Sequence, residues 1–541
     1  MGVAVYLHQA IARTLRDHLD ATTLFGVIGE GNLYLVDSYR GLPGARYVAA
    51  AHEAGAVLMA NGYAQVSGKV GVATVTHGPG LTNTVTALVE AVRNRSSVVL
   101  IAGDTAADDS RNVQNIDQAA VLAGTGATLV QVTDAAQAQT QLVAACRRAL
   151  DERRPVVLNL PADLQWSQVE QMRDLPPQRS AESPGVAESE LNDALGLLAA
   201  ARRPVLLAGS GAANPRARQA VIRLAERRGA RLATTLKAKD LFRGHRADLG
   251  VCGGYASPEA VAAISKSDCV VAFGASLNDW TTERGGLFGS ARVVQVDIDP
   301  TSFGRHLSVD VSLLGDSADV AAEMLALLED AEIEPSTFID EPPAEANGPD
   351  AKRRGTASVL DGAAAVSAIE SMVPQERTLA MDAGRFLYLA VPGFSNPPLN
   401  AYVHSLNFGV IGIGLANAIG AWFAAPQRPV LHVTGDGGFM LGGLNEFHTA
   451  VREGADLIAV VLNDGSYGAE HIQLRNRELP VDVSMMAWPD LAAVATALGG
   501  HGVTVRSLTD LERVEDVVRS RVAPVLVDVR LDPDHLNTFV S

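Results

Sequence analysis

The sequence is short of cysteine, of aromatic residues and of positive charge, and each shortage removes a class of protein. Its three cysteines, Cys146, Cys252 and Cys269, stand far apart without CxxC spacing, so neither a disulfide framework nor a cysteine-held metal is supported. A reducing, cytoplasmic setting fits that usage. Lys and Arg number 44 against 61 Asp and Glu, a formal charge of −17, and a surface of that sign attracts neither nucleic acid nor anionic membrane. No apolar run approaches the roughly 18 to 20 residues of a membrane span. The first residues, Met1-Gly2-Val3-Ala4-Val5, lack the basic region, apolar core and cleavage site of a secretory leader, so an unprocessed soluble chain is expected.

What is abundant points to a layered α/β protein. Hydrophobic residues make up 47% of the chain and only 5% is aromatic, so Ala, Val, Leu and Gly carry the core, as helices packed on parallel sheets require. Short β-branched runs read as buried strands, among them Val70–Val75, Ser97–Ala102 and Pro155–Leu160. Between them, His52–Gln65 and Asn83–Arg93 place apolar residues at helical spacing. A chain of 541 residues exceeds what one core can serve, and about three domains are expected. Two polar, proline-rich stretches, near 168–190 with Leu175-Pro176-Pro177 and near 331–358 with Asn347-Gly348-Pro349-Asp350, read as linkers. They predict three doubly wound parallel-sheet domains over 1–168, 186–332 and 356–541.

The chemistry is concentrated where strand-like runs end in polar loops. Val430-Leu431-His432-Val433-Thr434 runs into Gly435-Asp436-Gly437-Gly438, and Leu457–Leu462 runs into Asn463-Asp464-Gly465. In open α/β sheets ligands bind at the carboxyl ends of strands, so Asp436 and Asn463 would face one point. A carboxylate, an amide oxygen and a loop carbonyl suit Mg²⁺, and the glycines admit backbone N–H groups to a diphosphate. A Gly-Asp-Gly alone is an ordinary turn. Two such loops, separated by one helix and one strand, are far more specific. A second feature is Glu53 in Ala51-His52-Glu53-Ala54, where a carboxylate in an apolar helical start needs a partner or a proton, or else meets the helix dipole. A third is the glycine-rich loop Phe408-Gly409-Val410-Ile411-Gly412 before the apolar stretch Ala416–Ala424.

Together these segments resemble the thiamine diphosphate (ThDP)-dependent enzymes of the acetolactate synthase and benzoylformate decarboxylase branch, and the resemblance runs from Phe25-Gly26-Val27 to Val525–Val529. It implies pyrimidine-binding, central and diphosphate-binding domains in that order. It also implies Mg²⁺ on Asp436, Asn463 and the Gly465 carbonyl, with Gly435, Gly437, Gly438, Ser466 and Tyr467 around the cofactor. Glu53 would bond the aminopyrimidine ring and help that ring take the proton from the thiazolium carbon. Ile411 would wedge between the two rings, and the Gly409 carbonyl would accept from the ring amine. Pro79 and Asn83 would line the loop Gly78-Pro79-Gly80 over the cofactor. The second asparagine of the family's usual pair is here Asp464.

For the reaction itself the resemblance offers His77 and Gln114 as catalytic candidates, and Ile28, His404, Ala469 and Glu470 as substrate-pocket candidates. A packing or solvated role stands beside the catalytic one for each. The substrate implied is a 2-oxo acid, decarboxylated and then protonated or joined to an aldehyde or second 2-oxo acid. The alternatives are a non-ligating decarboxylase like benzoylformate decarboxylase and a flavin-dependent oxidase. FAD is not expected, because Phe273-Gly274-Ala275-Ser276-Leu277-Asn278 lacks the arginine that flavin-binding relatives use. Active sites between subunits imply a homodimer or homotetramer. Gly209-Ser210-Gly211 is only part of a dinucleotide-binding fingerprint.

Overall fold

A computed structural model of the chain describes residues 4–106, 108–109, 111–172, 185–341, 360–396 and 399–535. The motifs Leu175-Pro176-Pro177 and Asn347-Gly348-Pro349-Asp350 lie outside the described residues. The described residues form three six-stranded sheets, and the chain divides into two compact units. One unit holds the N-terminal and C-terminal sheets, the other the central sheet.

The N-terminal sheet contains β1 (Thr23–Gly26), β2 (Arg46–Ala49), β3 (Gly71–Val75), β4 (Val98–Asp104), β5 (Thr128–Gln131) and β6 (Val156–Pro161). Their order is β2-β1-β3-β4-β6-β5, and every neighbouring pair is parallel. The three runs read as strands from the sequence are β3, β4 and β6, all nearly fully buried because helices cover both faces. The central sheet contains β7 (Pro204–Ala208), β8 (Arg231–Thr234), β9 (Asp248–Val251), β10 (Cys269–Phe273), β11 (Arg292–Asp297) and β12 (Val311–Leu314), parallel in the order β9-β8-β7-β10-β11-β12. Its Gly209-Ser210-Gly211 turn owes its glycines to packing. A side chain at Gly209 or Gly211 would run into Gly274 in the loop after β10.

The C-terminal sheet contains β13 (Thr378–Met381), β14 (Tyr402–His404), β15 (Val430–Gly435), β16 (Leu457–Asn463), β17 (His501–Val505) and β18 (Val525–Arg530), in the order β14-β13-β15-β16-β18-β17. The strands from β13 to β17 in that order pair in parallel, so their carboxyl ends share one edge. The cysteines are buried and free. Among the described residues, no helix is long and apolar enough to cross a membrane.

Two helices bring the N-terminal and C-terminal parts together: α1 (Glu53–Ser67) and, beyond α2 (Val85–Arg93), α3 (Gly414–Ala424). Both are apolar around most of their circumference, as expected of helices buried on all sides. They cross at small residues, with Gly62 against the Asn417 carbonyl and Gly420 against the Met59 carbonyl, leaving no room for a Cβ at either position. The buried Asn61 donates to Asn417 across the crossing at 2.8 Å. Around it Phe25, Met59, Leu415, Ile419, Val430 and Phe447 belong to one core cluster.

Gly420→Ala should therefore overpack the crossing and cost about 1–3 kcal/mol of stability, read from chemical denaturation. A variant as stable as the parent would show that the helices do not approach this closely.

Candidate active site

The carboxyl ends of β13, β15, β16 and β18 converge on buried carboxylates. Asp382, just after β13, accepts from Ala383 N at 2.9 Å, Gly412 N at 2.9 Å and Thr434 Oγ1 at 3.2 Å. Burial pushes its pKa up to about 6 despite those donors. Asp436, just after β15, accepts from the Trp488 indole Nε1 at 2.6 Å. Burial, and then the nearby charge of Asp464, push its pKa up to about 7. Asn463 ends β16 and donates from Nδ2 to Asp528 Oδ1 at 2.8 Å, which turns its Oδ1 toward the loop, where it accepts from Gly465 N at 3.1 Å. The Gly465 carbonyl accepts from Met486 N at 2.7 Å.

This donor set suits a small hard cation. One carboxylate, one amide oxygen and one carbonyl, the last two each keeping a second lone pair, are what Mg²⁺ takes when phosphate and water fill the remaining octahedral positions. Among the described residues no group of three or more His, Cys, Asp or Glu could hold a metal, so the mixed oxygen set is the candidate. The glycines of the turn have a further reason to be glycines. A Cβ at Gly437 would stand 2.9 Å from the Tyr467 ring, and one at Gly438 would stand 3.0 Å from Asp382 Oδ2. Gly435 lies against Phe386 in the same way. Ser466 is buried and donates through both N and Oγ to Asp464 Oδ1.

The N-terminal candidates gather at the carboxyl ends of their own sheet. Glu53 opens α1, whose N-cap is the His52 ring, and its half-buried carboxylate accepts from Asn83 Nδ2 at 2.9 Å. The partner expected of that carboxylate is thus an amide. Pro79 opens the short helix Pro79–Thr82, capped by Asn83. His77 is 2% exposed, and neither ring nitrogen has a hydrogen-bond partner among the described residues. Its Nδ1 lies 2.5 Å from where a Cβ of Gly31 would stand, and the Gln114 carbonyl runs over Gly78. Ile28, in the loop after β1, is half exposed. The hydrogen bonds of Glu53 and Asn83 stay within the N-terminal segment, and those of Asp436 and Asn463 stay within the C-terminal one.

The remaining candidates are dispersed. Gly409 and Ile411 lie in the loop that Asp382 holds through Gly412 N. His404 is buried and donates its backbone N–H to Gln65 Oε1 at 3.4 Å. Ala469 and Glu470 are exposed on the first turn of Gly468–Asn476.

Several residues that matter to this geometry carry no local sequence signal. Glu90 on α2 is fully buried and accepts from Asn407 N, Asn407 Nδ2 and Phe408 N at 3.2, 2.7 and 2.7 Å. In the opposite direction Glu446, on α4 (Leu444–Glu453), accepts from Ala51 N and His52 N at 3.1 and 3.2 Å. The first clasp fixes the start of the Gly409–Ile411 loop, and the second fixes the backbone just ahead of Glu53. Trp488 finds Asp436 from 52 positions away in sequence. Asp382 was legible in principle, since Thr378–Met381 running into Asp-Ala-Gly is another strand ending in a polar turn.

Family models match three segments of the chain: the thiamine pyrophosphate enzyme N-terminal TPP binding domain over residues 6–121, the central domain over 191–324, and the C-terminal TPP binding domain over 382–529. Curated relatives align over nearly the whole chain. An acetolactate synthase of Mycobacterium leprae is 28% identical, covering 97% of this chain and 87% of the relative. A probable 2-ketoarginine decarboxylase, AruI, of Pseudomonas aeruginosa is 31% identical, covering 95% and 91%. A sulfoacetaldehyde acetyltransferase of Roseovarius nubinhibens is 28% identical, covering 93% and 88%.

The Glu90 clasp is open to a direct test. Glu90→Ala would leave buried donors at Asn407 and Phe408 without an acceptor, a loss of about 1–3 kcal/mol per group left unsatisfied. Faster hydrogen exchange at the Asn407 and Phe408 amides, together with a lower denaturation midpoint, is expected; unchanged exchange there would show that the clasp does not hold the loop.

Proposed function

Because the chain belongs to the thiamine pyrophosphate enzyme family, as a ThDP-dependent enzyme of the acetolactate synthase, 2-oxo acid decarboxylase and acetyltransferase group, we propose that it decarboxylates a 2-oxo acid and joins the resulting fragment to a second carbonyl. The observation that carries this reading is the meeting of Asp436, Asn463 and Gly465 at adjacent strand ends beside the glycine turn. These three oxygens would hold Mg²⁺, while Gly435, Gly437, Gly438, Ser466 and Tyr467 would surround the diphosphate. Bound there, ThDP supplies a nucleophilic carbon and an electron sink for a carbanion next to a carbonyl.

The chain's own residues then divide the work. Ile411 would pack against the cofactor's rings and the Gly409 carbonyl would accept from its ring amine. Glu53 of a second copy, oriented by Asn83 and with Pro79 beside it, holds a proton at the pyrimidine nitrogen. A homodimer is thus the smallest working assembly, and a homotetramer is two of these. Exposed apolar side chains near the site support a covering partner, with Val113 97%, Leu441 63% and Ile28 50% exposed. His77, buried and with neither ring nitrogen partnered among the described residues, and Gln114 face the substrate. Ile28, His404, Ala469 and Glu470 shape its pocket. The domains run over about 1–168, 186–332 and 356–541, and the free buried cysteines suit a cytoplasmic enzyme.

A non-ligating decarboxylase is the second reading, favoured by the 31% identity to a protein named as a probable 2-ketoarginine decarboxylase. A screen of 2-oxo acids and aldehydes that follows CO₂ release and ligation products together separates the two. Ligation products from a 2-oxo acid and a second carbonyl are expected, and CO₂ with free aldehyde alone would favour the decarboxylase. Glu53→Gln should retain ThDP while losing nearly all turnover, and unchanged turnover removes the proton role of Glu53. Asp436→Ala should abolish Mg²⁺-dependent ThDP retention in calorimetry.

The raised pKa of Asp436 sets a pH dependence for the cation-free protein. Because the folded state keeps a proton that the unfolded chain releases near pH 4, stability should fall as pH rises from about 4 to 7, then level off. Mg²⁺ needs the ionised form, so its affinity should weaken by up to about tenfold per pH unit below 7. Titrations of Mg²⁺ at fixed ThDP between pH 5.5 and 8 read this slope, and a flat profile would contradict Asp436 as a ligand.

A further inference from the structure

The guanidinium of Arg385 is a buried cation with unused hydrogen-bonding capacity. Its side chain is 3% exposed and pairs through Nη2 with Asp464 Oδ2 at 2.6 Å, yet Nε and Nη1 have no partner among the described residues. Leaving two guanidinium donors desolvated and unpaired is costly, so the arrangement calls for an acceptor that the described residues do not supply. The group sits among the elements of the cation site. A Cβ at Gly468 would meet Arg385 Nε at 2.8 Å and Asp464 Oδ2 at 2.9 Å. Tyr467, the preceding residue, packs on Gly437, and Phe386, the following neighbour of Arg385, packs on Gly435. Gly468 also opens α5 (Gly468–Asn476), a nine-residue helix whose N-terminus has no side-chain cap. The guanidinium and an uncapped helix start thus lie side by side, and both favour an anion.

Charge points the same way. Asp382, Asp436, Asp464 and Asp528 are all buried at this edge, a field that by itself repels a polyanion. Asp528 is answered by Arg530 at 2.9 Å, and Asp464 by Arg385. The position where the resembling family has an asparagine is an aspartate here, and the arginine neutralises it. We propose that Arg385 and Asp464 act as a pair in which the aspartate orients the guanidinium and the remaining edge of the guanidinium binds a phosphate of the cofactor's diphosphate. This rests on the ThDP reading of the site.

The test is calorimetric binding of ThDP, and separately of inorganic pyrophosphate, each with Mg²⁺, to the apo full-length protein. Arg385→Gln should weaken both by about 10- to 100-fold, with Arg385→Lys between it and the parent. Because Arg385→Gln leaves Asp464 buried without its counter-ion, the neutral pair Arg385→Gln with Asp464→Asn serves as the folded control, checked by near-ultraviolet circular dichroism. If the guanidinium were only the counter-ion of Asp464, that double variant would bind both ligands like the parent, and the inference would be overturned. Undiminished diphosphate binding with a raised KM for the 2-oxo acid would overturn it as well, assigning the group to the substrate carboxylate. Loss of binding in the double variant supports it. A parent protein that binds neither ThDP nor pyrophosphate would instead fail the family reading itself.

Discussion

The structure around the candidate site is organised by one electrostatic constraint, the cost of keeping four aspartates out of water at the ends of parallel strands. Each has a different answer. Asp382 is met by two backbone N–H groups and a hydroxyl, Asp528 by the Asn463 amide and Arg530, and Asp464 by Arg385 and Ser466. The side-chain donor that answers Asp436 is a single indole N–H, and its pKa is pushed up to about 7, against about 6 for Asp382. Asp436, with that raised pKa and one side-chain donor, stands at the Gly-Asp-Gly turn, beside Asn463 and the Gly465 carbonyl. A divalent cation placed there would offset a buried carboxylate, whereas at Asp382 or Asp528 it would displace more of the protein donors already in place.

The same device, a buried carboxylate accepting several donors, also joins segments hundreds of residues apart. Glu90 holds Asn407 and Phe408, and Glu446 holds Ala51 and His52, so each half of the unit anchors a loop of the other. Backbone N–H groups at loop starts have no helix or sheet partner of their own, and a carboxylate can satisfy two or three at once. Dispersion forces at the α1–α3 crossing set how closely the halves approach, because glycine at 62 and 420 lets backbone meet backbone. The clasps then fix what that approach leaves free, namely the paths of the chain into Glu53 and into the Gly409–Ile411 loop.

Much of the fold was legible because buried parallel strands leave an unmistakable trace. Val430–Gly435 and Leu457–Asn463 are buried runs whose polar terminal loops mark the sheet edge, and the two loops taken together made Asp436 and Asn463 candidates. Trp488, Glu90 and Arg385 could not, because each acts through a partner far away in sequence, and no periodicity records which side chains meet across a sheet edge. Glycine proved ambiguous for a physical reason. Gly209-Ser210-Gly211 has the composition of a phosphate turn, yet its missing side chains admit a neighbouring loop, and Gly437 serves Tyr467 as well as any ligand. Absence of a Cβ signals close approach without naming what approaches.

Depth of burial also separates what the fold determines from what it leaves open. Asp382, Asn463 and Asp464 each hold two or more partners, so changing one disturbs a connected set of hydrogen bonds. Several substrate-side candidates stand at more open positions: Ile28 is half exposed, and Ala469 and Glu470 lie exposed on an outer helical turn. Such positions can change without unfolding anything. Relatives at nearly equal identity accordingly bear the names of a synthase, a decarboxylase and an acetyltransferase. In this architecture the buried groups can carry what the family shares while exposed positions vary between its members.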